Sequence, residues 1–447
     1  MSTLSKQLTN IPKSQLQKLV ALVLILGTPL IIGFLLYQQF SIWLVLGAVV
    51  FLGIAVLMFI WPEATIVVVL FVLYVNLAVV AIRFFDIPEL LAVSFFLLLG
   101  LPLINYVIVR RQKLITNRVM LVMLLYLGLL LISAVFSGQP GESTSRIVAY
   151  AVEGLALYVL IINAVRTREI LRIGVWALIV AGAFIGSLSL YQELTGAYDN
   201  DFWGLAQVKE SEIGTGEVDY LGNDIKRRRL AGPIGSKNRY AQIMVVLFPL
   251  ALLRVWIERS RLLRALAVAA CVPIISGALL TFSRGAGLSI AITLVAMVFL
   301  RVIKLWHFVV LASAAIVLVL MAVPDYVYRI STAVDVAEIA SGNVSEADNS
   351  IQGRATVNLA AFNIFLDHPL LGVGPGQTNL YTREYGNELG IRTLEGDRRA
   401  HNMYLEELAD TGVVGFAAFL AILLITMLQL WQVRRRWKMS RTDISLS

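Results

Sequence analysis

Three histidines and two arginine-bearing stretches are the residues with which this chain could do acid–base or anion chemistry. His401 stands in Arg398-Arg399-Ala400-His401-Asn402, at the head of a helical stretch. An imidazole with an ordinary pKa of ~6.5 can accept a proton at neutral pH. His307, beside Trp306, reads instead as a membrane-interface residue, and His368, before Pro369, as the cap of a helix end. Arg284 sits in Thr281-Phe282-Ser283-Arg284-Gly285-Ala286-Gly287-Leu288, between two apolar runs with almost no loop. A guanidinium there either snorkels to lipid headgroups or grips a phosphate as a two-pronged fork. Gly285 and Gly287 would let the backbone come close to such a ligand. Arg229 belongs to a run from Lys226 through Arg227 and Arg228 that continues to Asn238 and Arg239. Such a run is a solvated or lipid-facing patch, or part of an anionic site. Glu153 is the clearest ionisable group inside an apolar run, with Arg146 seven residues earlier; a functional role and an interior contact both fit.

Several chemistries have no residues to support them. There is no HExxH, no Cys/His pair at ligand spacing, no Walker motif and no dinucleotide fingerprint. Asp199-Asn200-Asp201 is a DxD by letters alone. The single cysteine, Cys271, excludes an internal disulfide framework. The expectation is therefore no metal, no cofactor and no nucleic-acid partner, with energy coming from the substrate or a gradient.

The elements that must position these groups are apolar. Of 447 residues, 58% are hydrophobic and 15% charged, and the mean hydropathy is +0.80. That excludes a disordered chain and points away from a soluble enzyme, towards an all-α polytopic membrane protein. Apolar runs between charged breaks predict twelve spans, at 19–36, 41–60, 64–82, 88–109, 119–136, 147–165, 170–190, 240–257, 262–282, 286–303, 305–323 and 411–431. With the N-terminus in the cytoplasm, most of the 37 lysines and arginines fall in short cytoplasmic turns or the tail Arg434–Arg441, as the positive-inside rule expects. Both termini are then cytoplasmic. The chain divides into seven N-terminal helices (1–190), an outer loop (191–239), helices 8–11 (240–323), a large outer loop (324–410), and the last span with its basic tail (411–447). In the second loop, Val357, Ala360, Ala361, Ile364 and Phe365 recur at helical spacing, so Arg354 opens an amphipathic helix that Asp367-His368-Pro369 ends. Residues 370–379 read as a glycine-rich turn.

In combination these stretches resemble the O-antigen ligase and O-antigen polymerase superfamily of membrane glycosyltransferases. Arg229-Leu230-Ala231-Gly232 through Asn238-Arg239-Tyr240-Ala241 looks like the family's arginine–glycine–asparagine approach to a span. Arg284-Gly285-Ala286-Gly287-Leu288 fits its Arg-x3-Leu motif, and His401 with Gly412 fits its His-x10-Gly motif. The stretch 353–377 looks like its outer-loop helix and glycine turn. The likeness runs from about 229 to 415; residues 1–190 match only in hydropathy.

The resemblance implies a GT-C-like fold with a helical periplasmic cap in a bacterial inner membrane, acting at the periplasmic face. The donor would be a glycan on undecaprenyl diphosphate, and the acceptor a sugar of lipid A–core or, for a polymerase, a second lipid-linked glycan. His401 would deprotonate or position the acceptor hydroxyl, with Arg284 and Arg229 on the diphosphate. Arg228, Asn238, Arg239, Arg354, Arg399 and Asn402 would bind substrate. A lipid-glycan transporter is the reading from another class. It needs charged groups along a midplane path, and Glu153 is nearly alone there.

Overall fold

The computed structural model describes residues 53, 55–56, 58–59, 61–87, 100–218, 224–306, 309, 313, 346–390, 393–394, 396, 399–400 and 402–445. The expected span 19–36 lies outside them, as do most of 41–60 and 305–323, the first part of 88–109, and His401. The described helices are α1 (Pro62–Tyr74), α2 (Leu77–Phe85), α3 (Gly100–Val109), α4 (Arg118–Val135), α5 (Pro140–Ala164), α6 (Arg168–Thr195), α7 (Lys237–Ile257), α8 (Arg261–Leu279), α9 (Arg284–Phe299), α10 (Glu346–Asp367), α11 (Thr378–Glu388) and α12 (Met403–Ser445). Strands β1 (Gln207–Val218) and β2 (Asp224–Gly232) form an antiparallel hairpin between α6 and α7, the one pair of strands among the described residues, which the apolar pattern did not announce.

Six of these helices are long and apolar enough to cross a membrane: α4, α5, α6, α7, α8, and α12 as far as Arg436. The expected span 64–82 is not straight. It is α1 and α2, bent by 55°. The bend falls at Asn76, whose left-handed φ of 58° interrupts the helix and whose Nδ2 donates to the Pro233 carbonyl at 3.1 Å. Helix starts follow local chemistry. Asn117, Thr167 and Ser260 accept from the backbone N–H three residues on, and Pro62 and Pro140 stand in the first turn. Large apolar side chains such as Leu125 on α4, Leu262 on α8, Phe299 on α9 and Leu430 on α12 are exposed. That distribution suits a lipid surround, where such surface needs no burial.

The chain divides into two compact units: Met1–Lys113 with Ala164–Val336, and Leu114–Asn163 with Ala337–Ser447. In the first, α6, α7 and α8 pack around Ile179, Ile185, Tyr240, Met244, Leu247 and Ile274. A Cβ on Gly186 would lie 2.3 Å from the Pro273 carbonyl oxygen, so only glycine lets α6 meet α8 this closely. At one end of this layer Glu258, 3% exposed, caps α7. Arg172 donates to its carboxylate through two nitrogens, Trp176 Nε1 at 2.9 Å and Arg254 at 3.3 Å. The Arg172 hydrogen bond, then Trp176 and the two positive charges, hold this carboxyl below the usual range against the opposing effect of burial.

In the second unit α4 and α12 run side by side. The amphipathic helix expected from Arg354 is α10; it begins earlier, at Glu346, and ends at Asp367 as anticipated. Its Val357, Ala361 and Ile364 join Val373, Leu394, Ala400 and Ala409 in a separate core. Helix α12 is broken at Gly412 (φ 64°, ψ −170°), a conformation essentially confined to glycine. The 369–376 turn fills the break. Val373 N donates to Ala409 O at 3.0 Å, Gly374 N to Asp410 O at 2.9 Å, and Val413 N to Pro369 O at 2.8 Å. Asp410, 2% exposed, adds its carboxylate to the N–H of Gly376 at 2.7 Å and of Thr378 at 2.9 Å.

Two outcomes follow from these arrangements. Glu258→Ala leaves Arg172 and Arg254 facing each other and Trp176 without its acceptor, and should cost about 3 kcal/mol in thermal or denaturant unfolding of the solubilised protein. Because the folded-state pKa of Glu258 is depressed, its contribution is complete above the unfolded value of about 4.3 and is lost as pH falls through the folded value. The stability gap between wild type and variant should therefore close in acid. Gly412→Ala puts a Cβ 2.3 Å from the Leu370 carbonyl. It should lower stability by about 2–3 kcal/mol and speed limited proteolysis of the 369–377 turn.

Candidate functional site

The Arg229 and Arg284 motifs belong to the first unit and meet at one end of its helical layer. Strand β2 runs into the start of α7, and its Leu230 N donates to Leu280 O, at the end of α8, at 3.2 Å. Next to this bond the Arg229 guanidinium, 5% exposed, clasps the α8–α9 turn: Nε donates to Thr281 O at 2.6 Å and Nη2 to Phe282 O at 3.0 Å. The turn is tight. Phe282 has a left-handed φ of 51°, and Thr281 Oγ1 donates to Ala278 O and accepts from Ser283 N. Arg284 follows as the first residue of α9. Open space lies beside Gly285, where a Cβ would find Ser283 Oγ as its nearest neighbour at 3.8 Å. Buried Tyr240, one helical turn into α7, supports the strand from below; its hydroxyl meets Ser189 at 2.9 Å and donates to Ile185 O.

The remaining arginines of this stretch are placed differently. Arg228 is exposed, pairs with Asp199 at 3.4 Å and lies over the Tyr198 ring at 5.2 Å. In the hairpin register Arg228 faces Glu210 and Arg229 faces Lys209. Asn238 and Arg239, in the first turn of α7, are exposed. So two motif arginines 55 residues apart in sequence share one turn, with Arg228, Asn238 and Arg239 on the elements leading to it.

The histidine motif belongs to the second unit. His401 lies outside the described residues. Its neighbour Asn402 caps α12, with Oδ1 accepting from Tyr404 N at 3.1 Å and Leu405 N at 3.4 Å. Arg399 and Arg354 are exposed. Gly412, the glycine of the motif, marks the helix break. The nine residues Met403–Thr411 before it carry a polar cluster that the motif alone did not reveal. Tyr126 of α4 donates to the Glu407 carboxylate, which also accepts from Thr411 Oγ1 at 3.2 Å. Arg146 pairs with Glu406 at 3.6 Å. The readable signal was the i, i+3, i+4 spacing of Glu407, Asp410 and Thr411, which puts three polar groups on one helix face.

Two further expectations can be placed. Glu153 is exposed, and Arg146 pairs with Glu406 rather than with it. Glu153 lies inside a π-helical stretch, Tyr150–Ala156, whose wider turn shifts the phase that a seven-residue spacing from Arg146 assumes. Among the described residues no three or more His, Cys, Asp or Glu side chains gather as a metal would require. Asp199 of the DxD is engaged with Arg228.

No curated protein and no solved structure matches the chain. The family model described as O-antigen ligase matches residues 269–420, about a third of the length, and takes in Arg284, His401, the glycine turn and Gly412. Over that segment the chain is similar to the O-antigen ligase family.

Proposed function

We propose that this protein is a multi-pass inner-membrane glycosyltransferase of the ligase type, moving a glycan from undecaprenyl diphosphate to a sugar of lipid A–core at the periplasmic face. Twelve spans with both termini in the cytoplasm are the topology that goes with it. The observation that carries the reading is the clasp of Arg229 on the Thr281 and Phe282 carbonyls. It ties two separate cationic motifs to one helix-end turn, at the start of the helix that Arg284 opens inside the matched segment. A lipid-linked diphosphate has its tail in hydrocarbon and its charge at the membrane boundary, and a short turn between two apolar helices suits that depth.

In the proposed reaction an acceptor hydroxyl oxygen attacks the anomeric carbon as the bond from that carbon to the diphosphate oxygen breaks. His401 takes the hydroxyl proton, and the configuration inverts. Negative charge grows on the departing undecaprenyl diphosphate. Arg284, at the positive end of the α9 dipole, stabilises it as it develops. Arg229 serves the same anion at one remove. Its Nε and Nη2 are committed to backbone carbonyls, so its main part is to hold the turn and add positive charge behind it. Arg228, Asn238 and Arg239 on one unit, and Arg354, Arg399 and Asn402 on the other, are the proposed contacts to glycan and lipid headgroup.

The test is transfer by membranes supplied with a purified undecaprenyl-diphosphate glycan, with and without lipid A–core. Transfer only onto a second lipid-linked glycan would make the protein a polymerase instead. Arg284→Ala and His401→Ala should each lower transfer by about 100-fold or more with unchanged thermal midpoints. Arg284→Lys should also lose most activity, because an ammonium makes no paired contact with phosphate oxygens; wild-type turnover there would sink the fork. Arg229→Ala should differ in kind: it strands the Thr281 and Phe282 carbonyls and should lower both transfer and stability, the latter by about 2–3 kcal/mol.

A further inference from the structure

The end of the first unit remote from the Arg229 clasp carries a cavity that glycosyl transfer does not use. It measures about 610 Å³ and lies where α7 ends and the chain leaves α9. Trp256, Val298, Val302 and Leu305 give it apolar walls, and Arg301 and Lys304 supply two cations. Arg168, Arg172, Arg254, Arg261 and Arg264 lie in the first or last turns of helices at this same end and Arg259 in the turn between α7 and α8, which makes it the basic end of the unit and, by the positive-inside rule, the cytoplasmic one.

Arg301 occupies an unusual backbone position. Helix α9 closes with Val302 N donating to Met297 O and Arg301 N to Val298 O, both at 2.8 Å, the paired bonds of a Schellman ending. The residue at the left-handed position of that ending is usually glycine. Here it is Arg301, with φ 55°. The fold thus accepts a backbone penalty that glycine would avoid, and the side chain it obtains is a guanidinium beside an apolar cavity at the membrane boundary.

We propose that this cavity holds one anionic phospholipid, with its phosphate between Arg301 and Lys304 and an acyl chain along Trp256, Val298, Val302 and Leu305. Charge selects the occupant. Two cations beside an apolar wall complement a phosphate that carries a hydrocarbon tail, and a zwitterionic headgroup would bring its own ammonium against them. The indole of Trp256 suits the depth at which headgroups begin. The volume is within the range of small-molecule sites, enough for a headgroup and the upper part of one chain. The proposal goes beyond the transferase reading and stands without it.

The full chain, purified in detergent, is titrated with dioleoyl phosphatidylglycerol or dioleoyl phosphatidylcholine, and retained lipids are counted by native mass spectrometry. Wild type should keep one phosphatidylglycerol under conditions that strip phosphatidylcholine. Arg301→Gly combined with Lys304→Gln should weaken retention by about tenfold or more. Since glycine is the favoured residue at that ending, Arg301→Gly alone should keep or raise the thermal midpoint while losing lipid, which separates binding from folding. Arg259→Gln with Arg261→Gln removes the same charge from the same end outside the cavity and should leave retention intact. Unchanged retention in the cavity variants, an equal loss in the Arg259/Arg261 control, or equal affinity for the two lipids would each overturn the proposal.

Discussion

A backbone in hydrocarbon has no water to fall back on, so each N–H and C=O freed by a break in a helix must find a partner within the protein. The two most informative places in this chain are such breaks. Between α8 and α9 the carbonyls of Thr281 and Phe282 are taken by the Arg229 guanidinium. At Gly412 the Ala409 and Asp410 carbonyls and the Val413 N–H are taken by the 369–376 turn. In both cases a segment distant in sequence returns to supply the missing hydrogen bonds. The motifs that carry the resemblance coincide with these repairs: arginine, glycine and the glycine turn are the residue types that interrupting a helix at a membrane boundary requires.

The same constraint divides labour among the charges. A cation near a membrane boundary is cheap when it reaches water and costly when buried without partners. Arg229 is buried and bonded to backbone, which turns a potential liability into the hold on a turn. Arg228 remains exposed with Asp199 and the Tyr198 ring. At the opposite end of the helical layer one buried carboxylate, Glu258, gathers Arg172, Arg254 and Trp176 and fixes the starts and ends of α6 and α7. Arginine therefore performs three tasks within one unit: clasping backbone, pairing with carboxylate and, in the proposed reaction, meeting phosphate. Sequence alone distinguishes them poorly, because the side chain is the same and only the partner differs.

What could be read beforehand follows that division. Apolar runs located α4, α6, α7 and α8 to within about five residues, since crossing hydrocarbon leaves a long unbroken signal; α5 begins at Pro140, ahead of the expected 147, because its first turns are polar. The stripe Val357, Ala360, Ala361 and Ile364 located α10, and Asp367-His368-Pro369 its end. The bend at Asn76 was not legible, because one left-handed residue leaves an apolar run apolar. Nor was the hairpin at 207–232, whose strands are polar and charged rather than alternating. The Glu153–Arg146 spacing misled because a π-turn changes helical phase without changing composition. At the site the motifs named Arg229, Arg284 and Gly412, but not that Arg229 would spend its donors on backbone. That depends on the fold bringing Thr281 under β2.

The His-x10-Gly spacing gains a physical meaning from the break. Gly412 fixes one end of a short helical piece, Met403–Thr411, by pinning it to the 369–376 turn, and Asn402 caps the other. A helix advances about 1.5 Å and turns about 100° per residue. The count of residues between the cap and the break therefore sets both how far position 402 stands from the pinned turn and which way it faces. One inserted residue would keep every residue type and yet swing the start of α12 by more than a quarter turn. Tyr126 and Arg146, which hold Glu407 and Glu406 on two sides of this piece, allow no such rotation without losing one partner. The interval is in that sense a ruler cut by the backbone. A chemical group placed at its head is located by the hydrogen bonding of Gly412 as much as by its own contacts.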